Sequence, residues 1–155
     1  SMDSGAHILV PEVVYFGTRK LVWEFAERWN LEVEFIDMTN LEEVDSKLKE
    51  NTQMVWVETP SNPRLLITDV IKINKLAGKY GAIVAVDNTW PTPYNMRPLD
   101  LGADVVIHST TKYLGGHSDI LGGAVITRGS EKLFDKIRTI QVDHQKHRQA
   151  VQKSH

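Results

Sequence analysis

The chain has 155 residues, which is enough for one hydrophobic core and typical of a single domain. Its 18 basic and 20 acidic side chains nearly balance, so composition gives no support to nucleic-acid binding. The absence of cysteine excludes a disulfide framework and a thiolate metal site. No apolar run approaches the length of a membrane helix, and the N-terminus lacks a signal-peptide pattern. We therefore expect a cytoplasmic protein with no membrane partner.

Apolar patterning along the chain predicts strands that alternate with helices. Short apolar runs predict six strands, over 7–10, 32–37, 54–58, 82–87, 104–107 and 124–127. Helical spacing predicts helices over 18–30, from a cap at Asn40 to Glu50, from a cap at Thr68 to Gly81, and from a cap at Ser130 through Ile140. The fourth and fifth strands are almost entirely apolar, as in strands covered on both faces. The sequence therefore predicts an α/β fold with three αβα layers and a mostly parallel sheet.

The loop after the strand at 104–107 carries the strongest chemical signal. A lysine in a glycine-rich loop at the end of a buried strand, here Lys112, can be desolvated, which lowers its pKa and makes it a nucleophile. The hydroxyls of Ser109, Thr110 and Thr111, with loop N–H groups beside them, are suited to hold a phosphate. A lysine beside a phosphate cradle is what pyridoxal 5'-phosphate (PLP) needs at its Schiff base.

Other polar residues follow the remaining predicted strands. Tyr15 follows the first strand, Ser61 and Asn62 follow the third, and Asp87 ends the fourth. Ligands of open α/β sheets bind outside the carboxyl ends of the strands, so we expect these residues to converge with Lys112. A carboxylate ending an apolar strand needs a partner, and a protonated pyridine nitrogen is one. The alternative for Asp87 is a turn or cap residue.

Five sequence blocks, in order along the chain, resemble the Cys/Met-metabolism (transsulfuration) family of PLP-dependent enzymes. The blocks are 15–18, 58–63, 86–89, 97–104 and 108–119. The resemblance covers residues 4–141 and implies a portion of the PLP-binding large domain, of the PLP-dependent transferase-like type (fold type I). Residues 142–155 form a divergent polar tail. We expect the family's N-terminal arm and C-terminal domain to be absent from this sequence.

The resemblance implies that Lys112 and Tyr15 are catalytic. Lys112 would form the Schiff base with PLP and, once freed by the substrate, shuttle protons between carbons. Tyr15 would stack on the cofactor ring and help deprotonate the incoming amine. Phe16 stands where the family usually has glycine.

The cofactor-binding residues implied by the resemblance are Lys112, Asp87, Ser109, Thr111, Tyr15 and Asn62. Asp87 would pair with the pyridinium nitrogen, and Ser109 and Thr111 would bind the phosphate. Asn62 would lie near the ring hydroxyl and the substrate carboxylate. No metal is expected.

Several aromatic and imidazole side chains near these blocks are interpreted as structural. Trp90 is assigned to the core or rim, and Tyr113 to packing outside the site. His108 and His117 lack zinc-ligand spacing, which favours structural roles for both.

The activity implied by the resemblance is that of a PLP-dependent carbon–sulfur lyase, nearest to the cystathionine γ-lyase branch. It would cleave cystathionine or a related amino acid by β- or γ-elimination, as a homo-oligomer, in the family a homotetramer. One alternative is a transferase of the cystathionine γ-synthase or O-acetylhomoserine sulfhydrylase type. Another is a truncated, non-catalytic paralogue that keeps the fold and acts by oligomerisation. An unrelated doubly wound binding domain, with Lys112 incidental, is the third alternative.

Overall fold

The structure is a computed structural model that describes residues 2–129 and 131–152. The described strands are β1 (His7–Pro11), β2 (Glu32–Ile36), β3 (Thr52–Glu58), β4 (Ile83–Asp87), β5 (Val105–Ser109) and β6 (Gly123–Thr127). They form one sheet in the order β2-β1-β3-β4-β5-β6. Neighbouring strands from β2 to β5 are parallel, and β6 runs antiparallel to β5. The predicted α/β fold with a mostly parallel sheet is confirmed.

Helices lie on both faces of this sheet. They are α1 (Phe16–Trp29), α2 (Leu41–Lys47), α3 (Val70–Gly78), α4 (Thr92–Asn95) and α5 (Glu131–Gln152), with a 3₁₀ turn over Pro98–Leu101. On one face α2 and α3 pack over a core that includes Leu9 and Ile73. On the other face Val22 of α1 packs over Ile8 and Val10. Successive β1 side chains thus enter opposite cores, as the period of a strand requires, and three layers result.

The order of the strands places a crevice between β1 and β3. The chain leaves β1 toward β2 on one side, and β3 then pairs with β1 on its other side. In open α/β sheets, ligands bind at the carboxyl ends of the strands where the direction of strand addition reverses in this way. A ligand site is therefore expected beside the turns that follow β1 and β3.

Two helix boundaries show which capping predictions succeed. Asn40 caps α2, since its side chain accepts hydrogen bonds from the amides of Glu42 and Glu43. The prediction that Thr68 caps the third helix is wrong. Asp69 has that role and accepts from Lys72 N at 3.0 Å, whereas Thr68 N donates to Thr59 Oγ1 at 2.9 Å.

The remaining boundaries differ by a few residues from those predicted. The second helix stops at Lys47 because the backbone of Leu48 is extended. The first helix begins at Phe16 rather than Thr18. Residues 143–152 continue the last helix, while the predicted cap Ser130 and residues 153–155 lie outside the described residues. Within the described part, none of the helices combines the length and apolarity that crossing a membrane requires.

Candidate active site

A pocket of about 800 Å³ opens at the carboxyl ends of the strands. Six of the side chains predicted for the site line it: Tyr15, Asn62, Asp87, Ser109, Thr111 and Lys112. Ser61, which was also expected to converge there, is not among the lining residues, because it is buried and its Oγ accepts a hydrogen bond from Leu66 N. They come from the segments that follow β1 and β3, from the last residues of β4 and β5, and from the loop after β5. The convergence expected from the parallel sheet is therefore present, and the role of each residue stays a prediction. Thr110 is not among the lining residues.

Asp87 ends β4 with one carboxylate oxygen engaged and the other open. Its Oδ1 accepts a hydrogen bond from Thr89 N at 3.0 Å. This is the contact expected if Asp87 is a turn residue, the alternative given above. Thr89 Oγ1 in turn accepts from Ser109 N at 2.8 Å. The turn after β4 is thus tied to the end of β5. Among the described residues, no donor reaches the second Asp87 oxygen, which leaves it free for a cationic ligand atom.

The two hydroxyl groups of the predicted phosphate cradle differ in their bonding. Thr111 Oγ1 accepts from Gly122 N at 2.9 Å and lies 3.3 Å from Gly122 O. The Ser109 hydroxyl has no hydrogen-bond partner within the part of the chain that the structure describes, although its backbone amide is bonded to Thr89. Thr111 therefore holds the loop together as well as lining the pocket, whereas the Ser109 hydroxyl is available to a ligand.

Lys112 projects from the same loop and forms no ion pair with any described residue. Its side chain is exposed, so the expectation that the loop desolvates the amine is wrong for this chain. The loop around it is open as well, since Leu121, another lining residue, is 92% exposed. The amine is accessible to a ligand that enters the pocket.

Tyr15 is held at the start of α1 by a carboxylate from β3. Glu58 is 5% exposed, and its oxygens accept from Tyr15 N at 3.1 and 3.2 Å and from Asn62 N at 2.7 Å. Burial raises the pKa of Glu58, the two amide bonds lower it, and the charge of Asp87 raises it. Phe16 is accommodated because its ring turns outward, 74% exposed, and tilts against Tyr15 at 4.8 Å between centroids.

The pocket is also lined by residues that were not predicted for the site, among them Glu58, Thr89, Trp90 and Tyr113. Trp90 and Tyr113 stack with ring centroids 6.1 Å apart and an interplanar angle of 27°. Tyr113, expected outside the site, and Trp90, assigned to the core or rim, both line the pocket. Their only sequence signal is position, since each lies within three residues of Asp87 or Lys112.

The two histidines interpreted as structural differ in their environments. His108 is 3% exposed, and its Nδ1 has no hydrogen-bond partner among the described residues. Burial lowers its pKa, while the nearby charge of Asp87 and a bond to the Asn88 backbone raise it. His117 is exposed and its Nδ1 lies 3.1 Å from Gly115 O.

The opposite edge of the sheet carries a cluster of His7, Glu32 and Glu34 at the starts of β1 and β2. The ammonium group of Lys49 contacts both glutamates, with Nζ 2.5 Å from Glu32 Oε1. These contacts lower the pKa of both glutamates and raise that of Lys49. A lysine already neutralises this group, so we treat the cluster as an ion-pair network.

The polar groups of the pocket suit a ligand with an anionic end, a cationic ring and an electrophilic carbon. The Ser109 hydroxyl can donate to an anion, the open Asp87 oxygen can accept from a cation, and the Lys112 amine is exposed. PLP carries all three chemical features as phosphate, pyridinium and aldehyde. The residues present therefore fit this cofactor.

The fold and the pocket define an α/β domain with a ligand site at the carboxyl ends of its strands. A family model described as "Cys/Met metabolism PLP-dependent enzyme" matches residues 1–151, past residue 141 where the motif resemblance ends. The chain belongs to this family, and PLP is the cofactor that the family implies.

Individual relatives carry the names of more than one reaction. The chain is 43% identical over 139 residues to cystathionine gamma-lyase of Bacillus subtilis (strain 168), covering 90% of this chain and 36% of the relative. It is 44% identical over 127 residues to cystathionine gamma-synthase of Mycobacterium leprae (strain TN), covering 82% and 33%. The crystal structure of cystathionine gamma-lyase from Lactobacillus plantarum complexed with L-serine superposes with a TM-score of 0.86, at 39% identity, covering 90% and 36%.

The chain spans between 33% and 44% of the length of the curated relatives it matches. Its similarity to a lyase and to a synthase is nearly equal. The family is therefore established, and the particular reaction is not decided by likeness.

Proposed function

We propose that the chain is the cofactor-binding portion of a PLP-dependent carbon–sulfur lyase of sulfur amino acid metabolism. Its substrate is cystathionine or a related amino acid, which loses a sulfur-bearing group by β- or γ-elimination. The observation that carries this proposal is the arrangement of the Lys112 amine, the open Asp87 oxygen and the Ser109 hydroxyl around one pocket. The similarity to a cystathionine gamma-lyase supports it.

In this proposal each pocket residue has a separate task. Bound PLP supplies an electron sink for the electron pair left when the substrate Cα–H bond breaks. Lys112 Nζ would hold the cofactor, and its free amine would accept the proton from the substrate Cα. Asp87 would keep the ring nitrogen protonated, Ser109 and Thr111 would bind the phosphate, and Tyr15 would contact the cofactor ring.

A transferase is the second candidate, because the chain is 44% identical to a cystathionine gamma-synthase. Elimination and replacement both begin with loss of the Cα proton, so the same Lys112 and Asp87 serve either reaction. A cytoplasmic location and a homo-oligomeric state stay predictions within this proposal, as does the alternative of a non-catalytic paralogue. Assays with cystathionine, homocysteine and cysteine on a protein that binds PLP test the lyase activity.

The cofactor site is tested by titrating the chain with PLP and recording the visible absorption spectrum before and after borohydride reduction. We expect a yellow band in wild type that reduction converts into a stable adduct. Lys112→Ala lacks the band, whereas Lys75→Ala, which removes an exposed lysine on α3, retains it. A band of equal strength in Lys112→Ala would show that PLP reacts with surface amines and would refute the proposal.

A further inference from the structure

Glu58 is a buried carboxylate whose charge is not neutralised by a cation within the described part of the chain. It is 5% exposed, and no described lysine, arginine or histidine pairs with it. Removing a carboxylate from water is costly unless hydrogen bonds satisfy its oxygens. Here the donors are backbone amides, those of Tyr15 and Asn62. A group this costly to bury calls for an explanation beyond packing.

The two amides that Glu58 holds belong to two residues of the proposed cofactor site. Asn62 N lies 2.7 Å from Oε1, and Tyr15 N lies 3.1 Å from Oε2 and 3.2 Å from Oε1. One segment follows β1 and the other follows β3, on either side of the crevice. A single carboxylate therefore fixes the distance between the two segments.

Glu58 also supplies a charge that α1 lacks. Tyr15 is the residue before the first turn of α1, and no side chain of its own segment caps that end. The first turn contains no acidic residue. A carboxylate at a helix N-terminus is stabilised by the unpaired amides and the helix dipole. The carboxylate from β3 fills this position and fixes the backbone of Tyr15.

We propose that Glu58 is a positioning residue that orients Tyr15 and Asn62 toward the cofactor. The inference rests on the proposed function, since it assigns Glu58 to the same PLP site. Glu58 acts through its two amide bonds, while Tyr15 and Asn62 make the contacts with the ligand. Losing the carboxylate frees both segments, so PLP still attaches to Lys112 but is held less tightly and with a less defined ring orientation.

Two variants separate the length of the side chain from its charge. Glu58→Asp keeps the charge but is one methylene shorter, so it cannot reach both amides. Glu58→Gln keeps the length and one accepting oxygen, and it decides the question if Glu58→Asp does not fold. Glu50→Gln is the matched control, because Glu50 is exposed and has no partner among the described residues.

The first readout needs no cofactor. In ¹H–¹⁵N NMR spectra of the chain, we expect the amide signals of Tyr15 and Asn62 to move together in both Glu58 variants and to stay in place in Glu50→Gln. The second readout is PLP binding by the folded variants. We expect the visible absorption band to persist, the affinity to fall about tenfold, as for one lost charge-assisted hydrogen bond, and the induced circular dichroism of the band to weaken.

The possible outcomes distinguish failure of the Glu58 positioning role from failure of the proposed PLP site. Wild-type affinity and wild-type circular dichroism in folded Glu58→Asp and Glu58→Gln would overturn the positioning role and leave the PLP site intact. A wild-type chain that develops no band would overturn the proposed function, and the inference with it. A lower melting temperature of the variants, with unchanged circular dichroism of the bound cofactor, would show a purely structural role and would also overturn the inference.

Discussion

Glu58 and Asp87 lie opposite each other in the register of β3 and β4, and both line the pocket. Their environments differ. Glu58 is buried and bonded to backbone amides, whereas Asp87 is half-buried and has one open oxygen. Burial and the charge of Asp87 both raise the pKa of Glu58. At this site Glu58 therefore binds backbone amides, whereas Asp87 keeps one oxygen for the ligand.

Asp87→Asn tests whether the open carboxylate oxygen binds a cationic ring. Asparagine retains an oxygen for the Thr89 amide, so the turn after β4 stays closed. Loss of the negative charge is expected to weaken PLP binding about tenfold or more, which corresponds to about 1.4 kcal/mol. Affinity is measured by absorption titration. Asp100→Asn removes an exposed carboxylate elsewhere and should bind as wild type does; equal affinities of the two variants would contradict the assignment.

Ser109→Ala tests the phosphate cradle by comparing PLP with pyridoxal, which lacks the phosphate. The Ser109 hydroxyl has no partner among the described residues, so its removal should leave the melting temperature unchanged. A hydrogen bond to a charged group contributes about 1.5–3 kcal/mol, so the preference for PLP over pyridoxal should fall at least about tenfold. An unchanged preference would remove Ser109 from the cradle.

Thr111→Val is the companion variant, because it keeps the shape of the side chain and removes its hydroxyl. Thr111 Oγ1 accepts from Gly122 N at 2.9 Å, so this change leaves a loop amide without its partner. We expect a loss of about 1 kcal/mol in the free energy of unfolding, measured in urea, together with weaker PLP binding. A variant as stable as wild type would mean that the Gly122 bond does not hold the loop.

The sheet was predictable from sequence because apolar runs bounded by turn residues mark buried strands. The helix ends were less predictable, since neighbouring polar residues compete for the same capping position. Asn40 has two amides within reach and caps as expected. The third helix is capped by Asp69 and not by Thr68. The amide of Thr68 is bonded to Thr59, and this contact depends on the folded loop.

The candidate site was predictable to the extent that it follows from strand ends. Asp87, Ser109 and Lys112 end or follow parallel strands, which fixes them at one edge of the sheet. Glu58 escaped prediction because its partner Tyr15 is 43 residues away and offers a backbone amide, which leaves no sequence signal. The exposure of Lys112 also could not be predicted, since solvent access depends on how the surrounding loops pack.

Acid should destabilise the fold through His7 before the carboxylates titrate. Burial, followed by the charge of Lys49, lowers the pKa of His7, so the unfolded chain takes up the proton first. Stability from this group is therefore present above the unfolded pKa of about 6.5 and is lost as the pH falls through it. The urea midpoint should fall between about pH 7.5 and about pH 5.5, and His7→Gln should reduce that fall.

Glu58 acts in the opposite direction to His7. Its pKa is raised in the folded state, so its contribution is present below the unfolded pKa of about 4.5 and is lost as the pH rises through the higher folded pKa. Glu58→Gln should therefore steepen the loss of stability on acidification. The control for His7→Gln is His117→Gln, which changes an exposed imidazole. If His7→Gln had the same pH dependence as wild type, His7 would not be the source of the acid sensitivity.

We propose that Lys112 is the amine that holds PLP. The most direct test is peptide mapping by mass spectrometry after the chain is loaded with PLP and reduced with borohydride. We expect the reduced cofactor on the peptide containing Lys112, with the Lys75 and Lys132 peptides unlabelled at equimolar PLP. A label spread over the surface lysines, with no enrichment at Lys112, would contradict it.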